Sequence, residues 1–259
     1  MATRFSLPNL RNFALIEGEF ARRIALAREP IGVEQEAGKP LARRMFAELD
    51  LLAEPVRRIR RRLDIEESRT PRTVMFLPGF AAHPRKMGYL ARQLERAGHT
   101  TKRWGQGRNW GPTPERFAQM EERLHEVHRQ AGEPVVLLGW SLGGLYARVL
   151  AQHHPDKVAK VITMGSPFSG SPRANNVWRV YQFITGHQVD APPVEADIST
   201  KPPCQTVALW SPNDGMIAPR CAAGAPHERD RAIALRCTHL GFTYDPDVIL
   251  TVLSELESV

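Results

Sequence analysis

The segment Val135–Pro155, "VVLLGWSLGGLYARVLAQHHP", decides the fold. Its first half is a run of strand formers. Its second half, from Leu142, is a run of helix formers. Between them lies Gly139-Trp140-Ser141-Leu142-Gly143, a G-x-S-x-G pattern with strand before and helix after. The glycines have a steric purpose. The turn is tight enough that a Cβ on either would collide with the crossing backbone, while the serine backbone is strained. Ser141 also opens a helix, where unpaired N–H groups and the helix dipole favour developing negative charge. The pattern marks Ser141 as a nucleophile raised on a strand-to-helix turn.

Around this segment, strands and helices alternate. "TVMFL" (73–77) reads as a buried strand ending at Pro78-Gly79, and 85–98 as a helix stopped by Gly98. A short strand, "HTTKRW", precedes the Gly-rich loop "GQGRNWGP". The helix 113–132 follows, with Thr113 as N-cap, Pro114 in the first turn and Gly132 as its stop. Then come strand 134–139, helix 142–154, strands 157–164, 205–210 and 232–236, and a last helix near 245–257. Alternation of this kind predicts right-handed crossovers and a mostly parallel sheet covered by helices on both faces. The stretch 165–203 is rich in Pro, Gly, Ser and Asn and holds one helical run, "NNVWRVYQFITG". So long a connection between strands reads as a lid or cap insert. Its aromatics Trp178, Tyr181 and Phe183 are candidates to line a cleft, or to anchor the insert.

Residues 1–70 hold no convincing strand and read as a helical N-terminal extension to a domain spanning 71–259. Leu41, Met45, Leu49, Leu52, Val56, Ile59 and Leu63 recur at helical spacing, with Pro55 as a kink. The stripe is expected to pack on the neighbouring domain. A membrane-surface role for Arg57–Arg62 is the sharper alternative, disfavoured by the acidic residues on either side.

Composition bounds the rest. The chain has 259 residues, 42% of them hydrophobic, so one sizeable domain with a real core is expected. No apolar run is long enough to span a bilayer, and the N-terminus lacks a secretory pattern. Three cysteines, Cys204, Cys221 and Cys237, fit neither a disulfide framework nor zinc spacing; a reducing, cytoplasmic setting is expected. The formal charge is +7, but no nucleic-acid-binding module accompanies it.

A serine hydroxyl needs a base, and the base needs an orienting acid. Among nine histidines, His239 in "RCTHLGF" falls after the last strand, on the same sheet edge as the elbow. His153 and His154 end the elbow helix and belong to the opposite edge. His125 and His128 lie on a charged helix; His187 and His227 are weaker rivals. Asp214, in "LWSPNDGMI", follows strand 205–210, and Asn213 and Gly215 beside it make a turn. Asp190 in the insert is the alternative acid. The oxyanion requires N–H donors. Leu142 supplies one, and Phe80, in the loop "LPGFAAHP", is the candidate for the other. His83, Trp140, Phe168 and Trp178 are the candidate substrate contacts.

From Thr73 onward the chain resembles the α/β-hydrolases, closest to bacterial lipase- and esterase-like members. The resemblance rests on "GWSLGG", "HPDKVAKVITMGSPFSG", "SPNDGMI" and "THLGF" in that order. It implies the α/β-hydrolase fold, Ser141, Asp214 and His239 as a triad, Phe80 and Leu142 as oxyanion donors, and hydrolysis of a small-molecule carboxylic ester; the Trp, Tyr and Phe of the insert point to an apolar acyl or alcohol group. No metal or organic cofactor is implied. The alternative is an acyltransferase using the same triad; a non-enzymatic scaffold with a relict elbow is the third reading. Two features depart from the family pattern. Pro78-Gly79 stands where His-Gly is usual in the oxyanion loop, and a helical segment replaces the early antiparallel strands of larger members.

Overall fold

The architecture is taken from a computed structural model, which describes residues 10–30, 40–41, 43–54, 57, 63–191, 193 and 197–259. Six strands form one sheet: β1 (Thr73–Leu77), β2 (Thr100–Arg103), β3 (Val135–Trp140), β4 (Val158–Met164), β5 (Gln205–Trp210) and β6 (Arg231–Ala234). Their order is β2-β1-β3-β4-β5-β6, and every pairing is parallel. The inner strands β1 and β3 are buried along their whole length, as their unbroken Val, Leu, Met and Phe content requires of strands covered on both faces.

The pleat sends alternate side chains to opposite layers. Val74, Phe76, Val136 and Leu138 meet helices α3 (Gly88–Arg96) and α8 (Pro246–Leu256). Met75, Leu77, Val135 and Leu137 meet α4 (Pro114–Ala131) and α5 (Leu142–His153). Helix α4 begins and ends as its sequence predicts. Thr113 accepts from Arg116 N–H at 3.2 Å, and Gly132 closes the helix with a left-handed φ of 74°.

The insert between β4 and β5 carries α6 (Trp178–Thr185). Helix α1 (Leu10–Ala27), far away in sequence, lies along it. Arg23 donates to Ile184 O at 2.6 Å, Gln182 to Leu26 O at 2.6 Å and Arg179 to Ala27 O at 2.7 Å. Phe20 meets Phe183 edge-on at 5.8 Å. The insert and the N-terminal segment are thus joined by hydrogen bonds from side chains to backbone carbonyls.

The short helix α2 (Arg44–Ala47), continued by a 3-10 turn at Glu48–Ala53, differs from expectation. Its apolar stripe does not pack inward: Leu49 is 60% and Leu52 77% exposed. The buried side chains are acidic, Glu48 and Glu54. Val56 and Ile59 of the stripe, with Pro55 and most of Arg57–Arg62, lie outside the described residues. No described helix is long and apolar enough to cross a membrane. A seventh helix, α7 (Pro219–Ala223), follows the β5 loop.

Candidate active site

Parallel pairing brings the carboxyl ends of the strands to one rim. Leu77 is level with Gly139, Met164 with Leu209 and Trp210 with Ala234. Every loop that follows therefore opens at the same edge, the expected ligand edge of an open α/β sheet.

Ser141 sits at the end of β3 with φ 54° and ψ −122°. Among the described residues only it and Ala81 are non-glycine residues with positive φ. Such a conformation costs on the order of 1–3 kcal/mol and persists only where surroundings enforce it. The surroundings here are steric. A Cβ on Gly139 would run into Gly143 O and Gly144 Cα, and one on Gly143 into Leu77 O. Ser141 N–H donates to Met164 O at 2.9 Å, which ties the elbow to β4. The serine side chain is half-buried and lines a cavity of about 280 Å³.

Asp214 and His239 lie deeper, 1% and 2% exposed. His239 Nδ1 and Asp214 Oδ2 are 2.8 Å apart. Asp214 Oδ1 accepts from the N–H groups of Met216 and Ile217, both at 2.8 Å. The carboxylate is thereby locked, and its acceptor oxygen assigns the imidazole proton to Nδ1, leaving Nε2 as an acceptor. Burial pushes His239 down; the adjacent Asp214 charge and its hydrogen bond, with a smaller share from Glu48, outweigh this and hold it above its ordinary value. Ser211 Oγ donates to Cys237 O at 2.5 Å, joining the acid turn to the histidine loop. Trp140, next to the elbow serine, donates from Nε1 to His239 O at 3.1 Å, its ring 5.6 Å from the imidazole. Among the described residues the Ser141 hydroxyl has no hydrogen-bond partner. Catalytic hydrogen bonds are commonly long in substrate-free enzymes.

Phe80 and Leu142 both line the cavity, on the two loops flanking Ser141. The Phe80 loop is fixed by a residue the sequence reading passed over. Asn109, fully buried, donates to Pro78 O at 2.7 Å, while its backbone O accepts from Ala81 N–H at 2.6 Å. Its Oδ1 accepts from Gly111 N–H and from the Tyr146 hydroxyl. Its only signal in sequence was membership of a Gly-rich loop.

The four candidate substrate contacts separate. Trp178 lines the cavity, together with Tyr181, Pro112, Leu145 and Val149. His83 does not: it caps the turn Pro84–Met87, accepting from Arg85 N–H. Trp140 backs His239 instead. Phe168 is buried under the Arg148 guanidinium, 4.2 Å from its ring centre. None of these three is among the residues that line the cavity. Three of the rivals for base and acid have partners of their own. His153 and His154 bind Glu121, and Asp190, though at the cavity, pairs with Arg173 at 2.5 Å. Cys237 is buried and its thiol is pushed up by that burial, so it offers no thiolate.

A doubly covered parallel sheet with a strained serine elbow after β3 and an acid–histidine pair after β5 and β6 is the α/β-hydrolase fold. The chain has that fold, and a family model for the alpha/beta hydrolase fold matches residues 72–185. Part of the chain is similar to the pimeloyl-[acyl-carrier protein] methyl ester esterases of Edwardsiella ictaluri and Photorhabdus laumondii. Each is 47% identical, over 62 and 63 residues, which is 24% of this chain. The matched stretch spans only 23% and 22% of those relatives. Two solved structures share the fold. A Paleococcus ferrophilus monoacylglycerol lipase is 16% identical, with a TM-score of 0.52 over 74% of this chain and 96% of that one. A Bacillus licheniformis lipase is 14% identical, with a TM-score of 0.54 over 76% and 96%.

Proposed function

We propose that this protein is a serine hydrolase of carboxylic esters with an apolar acyl group, working through an acyl-serine intermediate. The observation that carries the reading is the buried His239–Asp214 pair on the same rim as a strained, cavity-facing Ser141. Ser141 Oγ attacks the ester carbonyl carbon while its proton passes to His239 Nε2. The N–H groups of Phe80 and Leu142 stabilise the tetrahedral oxyanion. Collapse breaks the ester C–O bond, and the imidazolium returns its proton to the departing alcohol. Water, deprotonated by the same imidazole, then releases the acid and restores the serine.

The cavity supports the apolar acyl group. Its walls are Phe80, Leu145, Val149, Trp178, Tyr181 and Ile217, with few polar groups. Tyr181, on the insert, packs on Phe80 with ring centres 5.1 Å apart, so the lid helix is part of the wall beside the oxyanion loop. Relatives named as methyl ester esterases favour water, rather than another alcohol or an amine, as the acyl acceptor.

The test is a panel of p-nitrophenyl esters from acetate to palmitate, run on wild type and Ser141→Ala. The expected result is turnover that favours chains longer than acetate and that falls by roughly 10⁴-fold or more in the variant. Equal turnover by Ser141→Ala would end the proposal. A sharp preference for acetate would remove the apolar acyl group from it.

A further inference from the structure

The segment that precedes the sheet reaches the two loops that carry the acid and the base. Asn176 donates to Pro40 O at 3.0 Å and to Gly215 O at 2.7 Å, so one side-chain amide joins the N-terminal segment to the acid turn. The Arg44 guanidinium donates to Pro212 O. The approach is close: a Cβ on Gly215 would lie 2.6 Å from Arg44 O and 2.9 Å from Met45 N. Between the two loops lies Glu48, 6% exposed. Its Oε1 accepts from His239 N–H at 2.8 Å and from Gly215 N–H at 3.3 Å; its Oε2 accepts from Leu240 N–H at 2.9 Å.

We propose that Glu48 is a positioning residue of the active site, a carboxylate bridge that sets the histidine loop against the acid turn through the backbone N–H groups of His239, Leu240 and Gly215. This rests on the reading of Ser141, His239 and Asp214 as a triad. A carboxylate suits the position because it offers acceptors only; an amide there would turn donors toward a backbone N–H. The bridge spans the turns on both sides of the His239–Asp214 bond. Losing it would free the imidazole to move relative to the Ser141 hydroxyl, and catalysis is steep in that distance.

Charge gives a second, separable signature. Among the described residues, the charged groups that bear on His239 are Asp214 from the acid turn and Glu48 from the N-terminal segment; the Cys237 thiol is two residues before it in its own loop. Trp140 and Phe242 are neutral neighbours, 5.6 and 6.4 Å away between ring centres. Arg44, a cation on the same segment, is turned to Pro212 O. Glu48 favours the imidazolium, so removing its charge lowers the pKa of His239.

The experiment uses the full chain and p-nitrophenyl butyrate, comparing wild type, Ser141→Ala, Glu48→Gln and Glu48→Ala. Circular dichroism and a melting curve are recorded for each. For Glu48→Gln, which keeps size and one acceptor, kcat should fall at least about tenfold with KM within roughly twofold. The acidic limb of its kcat/KM profile should move to lower pH. Glu48→Ala should lose more kcat. A folded Glu48→Gln with wild-type kcat and an unmoved limb overturns the proposal, as does a change in melting temperature alone. Inactive wild type, or Ser141→Ala as active as wild type, would instead overturn the triad reading beneath it.

Discussion

His239 donates Nδ1–H to Asp214 Oδ2 over 2.8 Å, although the two residues are 25 apart in the chain and belong to different loops. The bond selects one tautomer. It leaves Nε2 as the lone-pair nitrogen, and Asp214 cannot swing away because its other oxygen is held by two backbone N–H groups. In the proposed mechanism Asp214 orients the imidazole and supplies charge, and takes no proton itself.

Replacing Asp214 by Asn keeps the shape and removes the charge. The amide can present its NH₂ to Nδ1, which selects the opposite tautomer and places the proton on Nε2. The expected outcome is a fall in kcat of roughly 10³–10⁴-fold with little change in KM. Steady-state kinetics on a p-nitrophenyl ester measures it; a loss below about tenfold would show that another group orients the imidazole.

The pH profile follows from the sign of the His239 shift. The base must be neutral to accept the serine proton. Asp214 and Glu48 hold its pKa above the ordinary histidine value despite burial. The acidic limb of kcat/KM should thus have its midpoint above about pH 6.5. Asp214→Asn should carry the midpoint downward, because the imidazolium loses its partner. A wild-type midpoint below that of free histidine contradicts the assignment.

Asn109 is expected to matter for the oxyanion loop. Asn109→Ala removes the donor to Pro78 O and the acceptor for Gly111 N–H, leaving both groups buried without a partner. Stability should drop by about 1–3 kcal/mol per orphaned group, read as a shifted denaturant midpoint. Because the Phe80 N–H moves with that loop, kcat should fall by about ten- to a hundredfold while KM changes less. Wild-type kcat in the folded variant would separate Asn109 from the oxyanion site.

Leu145 lies on the cavity wall, one turn along α5 from Ser141. Leu145→Trp fills acyl space without touching the elbow. Hydrolysis of octanoate and longer esters should fall by more than about tenfold, while acetate turnover holds within roughly threefold. A uniform loss across chain lengths would mean that the acyl chain lies elsewhere.

What could be read directly was whatever local chain chemistry dictates. "TVMFL" and "VVLLGW" are strands because unbroken β-branched and aliphatic runs need burial on both faces. Thr113 and Gly132 bound a helix because one supplies a side-chain acceptor and the other tolerates left-handed φ. The elbow was legible for the same kind of reason: a serine between glycines at a strand–helix junction has few other uses. Chain order and the shared sheet edge of the loops pointed to His239 and Asp214 among nine histidines and many acids, and the structure brings those two side chains to 2.8 Å.

Tertiary structure decided everything that depends on which distant groups need a partner. Glu48 bonds across 167 to 192 residues, and no periodicity announces that. Hydrophobic spacing pointed Leu49 and Leu52 inward, yet the orphaned N–H groups of two loops drew the carboxylate in and left the leucines in solvent. Phe168, in the loop after β4, packs under Arg148, and His83, in the loop after β1, caps a helical turn. The division is physical. Backbone propensity and apolar runs act over a few residues and are written in them, whereas buried hydrogen bonds are satisfied only when the whole chain has come together.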